Sequence, residues 1–76
     1  MAFSRIGIDH RIMGGVPCIR GTRIPVAMIV RMVADGTPVA QLLDEYPQLS
    51  AEDVREALRF AAASVDQRTI PLERSA

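Results

Sequence analysis

Cysteine and histidine each occur once in this chain, at Cys18 and His10, and lysine and tryptophan do not occur at all. A single cysteine excludes a disulfide within one chain, and one cysteine with one histidine falls short of a zinc site built from those ligands. Aromatic residues make up only 4% of the sequence, so aliphatic side chains must supply the core. The longest apolar run, Ile24 to Val30, is cut by Arg31 and falls far short of the ~20 residues that span a bilayer. Met1 to Arg11 mixes charged and apolar residues and has no apolar centre of the kind a signal peptide needs. These absences predict a soluble, cytoplasmic protein with no membrane partner.

What is present is 76 residues, 49% of them hydrophobic and 24% charged, the composition of a folded chain. A domain of this size buries only about 60% of its unfolded surface, so its core alone is marginal. With disulfide and Cys/His zinc site excluded, oligomerisation is the remaining support, and a homodimer is expected. The net charge of zero conceals an uneven distribution. Residues 1–31 hold five arginines against Asp9, whereas residues 32–76 hold four arginines against eight acids. A basic front and an acidic back can each meet a different partner, or face one another across the fold or a dimer.

The most constrained stretch is Gly14-Gly15-Val16-Pro17-Cys18-Ile19-Arg20-Gly21-Thr22-Arg23-Ile24-Pro25-Val26. Glycine reaches positive φ and proline fixes φ near −65°, so three glycines and two prolines around short apolar runs predict tight turns about a strand. The first strand falls within Phe3–Ile8, where alternation puts Ile6 and Ile8 on one face. Ile12-Met13 is expected to run extended into Gly14, and Val16–Ile19 forms the second strand, which Pro17 confines to an edge or to a position whose N–H the ladder does not need.

Three helices follow in the pattern. Pro25–Ala34 places Val26, Ile29, Val30 and Val33 in one stripe widened by Met28 and Met32, with Gly36 as its stop. Thr37 and Pro38 predict a capped start for the second helix, whose buried stripe is Val39, Leu42, Leu43 and Tyr46, and Pro47 ends it. Ser50 caps the third, with Glu52 and Asp53 in its first turn and Val54, Ala57, Leu58, Ala61 and Val65 as its inner face. The predicted class is mainly α: a short N-terminal β-hairpin and a three-helix, helix-turn-helix-like bundle over residues 1–66, with a C-terminal tail over 67–76. Ile70 and Leu72 are the tail residues fit to dock on a partner.

Catalytic sets do not assemble from this inventory. Asp9-His10 with Cys18 as nucleophile lacks any supporting spacing, and Cys18 between Pro17 and Ile19 suits a buried apolar role. Gly15–Thr22 has neither the lysine nor the glycine spacing of a phosphate loop. Asp44-Glu45 with Glu52-Asp53 is explained by solvation and helix capping without a metal. A non-enzyme without cofactor or metal is expected.

Docking chemistry is better represented. Arg20 and Arg23 flank Gly21-Thr22, so two guanidiniums and the Thr22 hydroxyl share one turn, a set suited to phosphate or guanine edges. The competing reading has these arginines bracing the turn against carboxylates of the second or third helix. Arg55 and Arg59 are the cations of the third helix, but Glu52, Asp53 and Glu56 near its start repel phosphate.

Gly15-x-Pro17-x-Ile19-Arg20-Gly21-Thr22-Arg23-Ile24-Pro25-Val26 resembles the signature of a prokaryotic family, domain of unknown function 433. Gly36-Thr37-Pro38 through Tyr46-Pro47-Gln48-Leu49-Ser50-Ala51-Glu52-Asp53-Val54 resembles the second half of its pattern, and the likeness runs from about Ile6 to Ala62. The resemblance implies a helix-turn-helix-like, VapB-type antitoxin of a toxin–antitoxin pair, partnered by a PIN-like ribonuclease and able to bind its own promoter DNA. The alternative is a dimeric protein-interaction adaptor without DNA contact.

Overall fold

The structure, a computed structural model, describes residues 3–11 and 13–66. Strands β1 (Ile6–Gly7) and β2 (Cys18–Ile19) pair antiparallel with Ile6 opposite Ile19, and helices α1 (Val26–Ala34), α2 (Val39–Glu45) and α3 (Ala51–Asp66) follow. The predicted class, a short hairpin ahead of three helices, is the observed one. The strands are shorter than the alternation suggests. The ladder ends at Gly7, so Ile6 is buried while Ile8 lies beyond it, exposed, and the two do not share an environment. Where the sequence predicts an extended lead into Gly14, Met13–Gly15 instead closes a 3-10 turn in which Gly14 takes φ 69°.

Pro25 sets the start of α1 with φ −67° and ψ 143°, and the stripe predicted for this helix faces inward, with Val26 and Ile29 buried and Val30 and Val33 half-buried. Its end is a Schellman motif. The Gly36 N–H donates to the Val33 carbonyl and the Thr37 N–H to the Met32 carbonyl, both at 3.0 Å, which requires the positive φ of 85° that Gly36 supplies. Thr37 is therefore spent on closing α1. Pro38, not Thr37, is the N-cap of α2, and no side chain caps that end. α2 has a single buried residue, Leu42, and Val39, expected beside it, is exposed because it sits in the first turn at the helix edge.

α3 opens on a capping box. The Asp53 N–H donates to Ser50 Oγ at 3.2 Å, and the Ser50 N–H donates to Asp53 Oδ2 at 2.9 Å, so each residue satisfies an orphan donor of the other. Leu49 and Val54, at the two positions of a hydrophobic staple, are both buried in the core. Ser50→Ala should cost about 1 kcal/mol in urea unfolding, because only one of the two capping bonds is lost. The predicted inner face of α3 is rotated. Val54 and Ala57 are buried and Ala61 half-buried, but Leu58 and Val65 are exposed. The face turned to the core runs through Val54, Ala57 and Ala61, which leaves Leu58 and Val65 on its exposed edge.

The core joins both parts of the molecule: Ile6, Ile19 and Ile24 from the hairpin region meet Val26, Ile29, Leu42, Leu49, Val54 and Ala57 from the helices. Phe3 packs edge-on against Phe60, with ring centroids 5.3 Å apart, tying the N-terminal segment to α3. No helix among the described residues is long and apolar enough to cross a membrane.

Candidate functional site

The arginine-bearing stretch folds as a second, tighter hairpin. Beyond β2 the chain reverses through Arg20-Gly21-Thr22-Arg23. The Ile19 N–H donates to the Ile24 carbonyl at 3.0 Å, Val26 N–H to the Pro17 carbonyl at 3.0 Å, and Cys18 forms a bridge with Pro25. The Thr22 N–H closes the turn on the Ile19 carbonyl at 3.0 Å, with Gly21 at φ 81° in the third position, where a type II turn demands a positive φ. The Thr22 hydroxyl is consumed inside the turn, donating to the Ile19 carbonyl at 2.7 Å and accepting from the Ile24 N–H at 3.0 Å. Its role is to shape the loop that carries the two arginines.

Arg20 is held from two sides. Its backbone N–H donates to the Arg5 carbonyl at 2.7 Å, while Nε donates to the Ser4 carbonyl and Nη2 to the Ile6 carbonyl, both at 2.9 Å. The guanidinium lies over Gly7, where an added Cβ would sit 3.6 Å from Arg20 Cζ. Arg20 thus braces the fold, but against neutral carbonyls and not against the carboxylates of α2 or α3. Among the described residues neither Arg20 nor Arg23 forms an ion pair, and both are exposed. The result is a positively charged turn on which the Arg20 guanidinium is oriented by main-chain carbonyls.

Beside it opens a cleft of about 600 Å³ between the turn and the segment after β1, lined among others by Asp9, His10, Arg11, Val16 and Arg20. Asp9 accepts from the Arg11 backbone N–H at 2.9 Å and from its guanidinium at 3.2 Å, and the side-chain bond to Arg11 is the main cause holding its carboxyl below the ordinary aspartate range. Cys18 is buried and its thiol donates to the Val16 carbonyl at 3.4 Å. His10 packs on the neighbouring turn, where a Cβ at Gly15 would come within 2.9 Å of its Nδ1. No group of three or more His, Cys, Asp or Glu among the described residues is placed to hold a metal ion.

The remaining predicted residues are elsewhere. Arg55 and Arg59 lie on α3, and Arg55 is paired with Glu52 one turn before it. Arg59 is exposed. Ile70 and Leu72 fall outside the described residues. One ion pair escaped the sequence: Arg5 Nη1 meets Asp53 Oδ1 at 3.1 Å, and the Arg5 N–H donates to Glu56 Oε2 at 2.6 Å. The basic front and the acidic α3 therefore meet here within one chain. The only sequence signal was Asp53 at the third position after a Ser cap.

The model of a family described as protein of unknown function matches residues 6–61, which spans both hairpins, α1, α2 and the first two thirds of α3. The chain belongs to the DUF433 family. A DUF433 member from Anabaena variabilis ATCC 29413, known from a crystal structure at 2.00 Å resolution, is 38% identical with a TM-score of 0.76, over 83% of this chain and 62% of that one. An uncharacterized protein of Sinorhizobium fredii, y4eO, is 43% identical over 53 residues, 70% of this chain. This chain spans about a quarter of that relative, 24% of its length.

Proposed function

We propose that this chain is the antitoxin of a type II toxin–antitoxin pair, binding a PIN-like ribonuclease and contacting its own promoter DNA through the Arg20–Arg23 turn. The observation that carries the DNA contact is the state of Arg20: its guanidinium lies at the surface, oriented by neutral carbonyls and paired with no described carboxylate. Arginine ordered before binding gives more affinity per phosphate than a mobile one. Arg23 on the same turn supplies a second cation. The nuclease partner is carried over from the family likeness. The exposed acids Asp44 and Glu45 at the end of α2 suit a basic surface on such a partner. In y4eO the matching segment is a minor part of a longer chain, which fits a docking module.

Arg23→Ala is the clean test, because the side chain makes no hydrogen bond or ion pair with a described residue. It should leave the melting temperature unchanged, weaken promoter binding in a gel shift, and reduce the salt slope by about 1 for each phosphate it ceases to neutralise. Binding indifferent to Arg23 and to salt removes the DNA contact. Co-expression with the nuclease encoded nearest to its gene should yield a stable complex, and failure to co-purify removes the toxin partner. A second reading, a dimeric adaptor without DNA contact, is favoured by the start of α3, where Glu52 and Asp53 set negative charge at the position of a recognition helix.

A further inference from the structure

The cleft beside the arginine turn offers three kinds of contact. Its volume of about 600 Å³ lies within the roughly 300–1,000 Å³ of small-molecule sites. Two apolar side chains that the core leaves uncovered, Ile8 at 57% and Val16 at 37% exposure, both line it. On the turn side, the Arg20 guanidinium spends its Nε N–H and one Nη2 N–H on the Ser4 and Ile6 carbonyls. The pair on Nη1 and the second N–H on Nη2 have no acceptor among the described residues. Together they make the end-on fork, which takes two oxygens of one phosphate. On the side of the segment after β1, Asp9 Oδ2 accepts a single bond from a described residue, that of Arg11 Nη2, and keeps a lone pair for a further donor. We infer that this cleft binds a nucleoside monophosphate, with the phosphate on the free Arg20 fork, the base against Ile8 and Val16, and an N–H edge of the base on Asp9.

The occupant follows from the three contacts taken together. An inorganic anion would satisfy Arg20 and leave Ile8 and Val16 wet, whereas a purely apolar ligand would leave the fork without an acceptor. A nucleobase has a flat face for apolar side chains and polar edges for hydrogen bonds. Guanine sets two N–H donors side by side, the arrangement a carboxylate accepts. The bonds from Arg11 favour the ionised form of Asp9, so this carboxylate accepts and does not donate. Gly7, which also lines the cleft, keeps it open. Its φ is not positive, and an added Cβ would meet Arg20 Cζ at an ordinary 3.6 Å, so neither backbone nor clash demands glycine there. A glycine in a strand marks a place where another group comes close to the backbone. The inference goes beyond the DNA contact, because bases stacked in a duplex present no face to such a cleft. A free nucleotide and the phosphorylated end of a single strand carry the same chemistry.

Titration of the isotope-labelled full chain with guanosine monophosphate, followed by amide NMR shifts, tests the assignment. Saturable shifts are expected at Gly7, Ile8, Arg20 and Gly21. Guanosine, without the phosphate, and ribose phosphate, without the base, should each bind at least about tenfold more weakly. Ile8→Asp should weaken binding at least about fivefold and leave far-UV circular dichroism unchanged, because Ile8 lies outside the core. A single strand ending in a phosphorylated guanosine is titrated beside the free nucleotide, and the tighter of the two identifies the source. Arg23 does not line the cleft, so Arg23→Ala should change nucleotide binding less than about threefold in about 0.15 M salt while it weakens promoter binding. Either reading can therefore fail without the other. Absence of saturable shifts at the cleft with both nucleotide and strand overturns the inference. So does equal binding of guanosine or of ribose phosphate, or binding indifferent to Ile8→Asp.

Discussion

Leu42→Ala should remove about 3 kcal/mol of stability, whereas Val39→Ala, three residues earlier on the same helix, should cost under about 0.5 kcal/mol. Leu42 is 0% exposed and Val39 is 43% exposed, although the periodicity of α2 puts both in one stripe. Truncating a fully buried leucine loses its transfer free energy and leaves a cavity that surrounding atoms fill only in part. α2 is seven residues long, and Leu42 is its one buried anchor. A helix this short does not persist in water without packing. Loss of the anchor should therefore release α2 as well as open the core. A domain of this size holds on the order of 5 kcal/mol in all, so the variant should keep less than about half of its stability and unfold at a much lower urea concentration. Urea titrations followed by far-UV circular dichroism read both values. Equal losses for the two variants would mean that α2 is rotated relative to the arrangement described.

Asp53→Ala should cost about 2–3 kcal/mol, a large effect for a carboxylate at a helix start. Three interactions converge on this 11% exposed side chain: the Ser50 N–H, the Arg5 guanidinium, and the positive end of the α3 dipole. The deletion strands the Ser50 donor and frees the N-terminal segment from α3 at one step. Asp53→Asn keeps an acceptor for Ser50 and should cost about half as much. Combining Arg5→Ala with Asp53→Ala in a double-mutant cycle should give a coupling of about 1 kcal/mol, modest because Arg5 is partly open to solvent. A coupling near zero would make the ion pair incidental and leave the capping bond as the whole effect.

The Asp53 result bears on the proposed contact through the hairpins. Arg5 offers its carbonyl to the Arg20 N–H and its side chain to Asp53, so the segment before β1 connects the start of α3 to the arginine turn. A variant that loosens Asp53 should thus also loosen the carbonyls of Ser4 and Ile6 that hold the Arg20 guanidinium.

Much of this protein is legible in the order of its residues. Glycine and proline positions are local constraints on φ, so the turn at Gly21, the stop at Gly36 and the helix starts after Pro25, Pro38 and Ser50 follow from neighbouring residues alone. The apolar spacing of α1 likewise determined its buried face, because nine residues with one dominant stripe can be oriented in only one way. Tertiary structure decided what depends on contacts between distant residues. Ile8, Val39, Leu58 and Val65 have the spacing of core positions yet are exposed, since a residue's burial is set by which neighbour covers it and not by its period. The partners of the arginines were decided the same way. Arg5 finds Asp53 across 48 residues and Arg20 finds two main-chain carbonyls, an outcome no charge count distinguishes from a salt bridge. Local backbone preference is written residue by residue, whereas burial and charge pairing exist only once the chain has closed on itself.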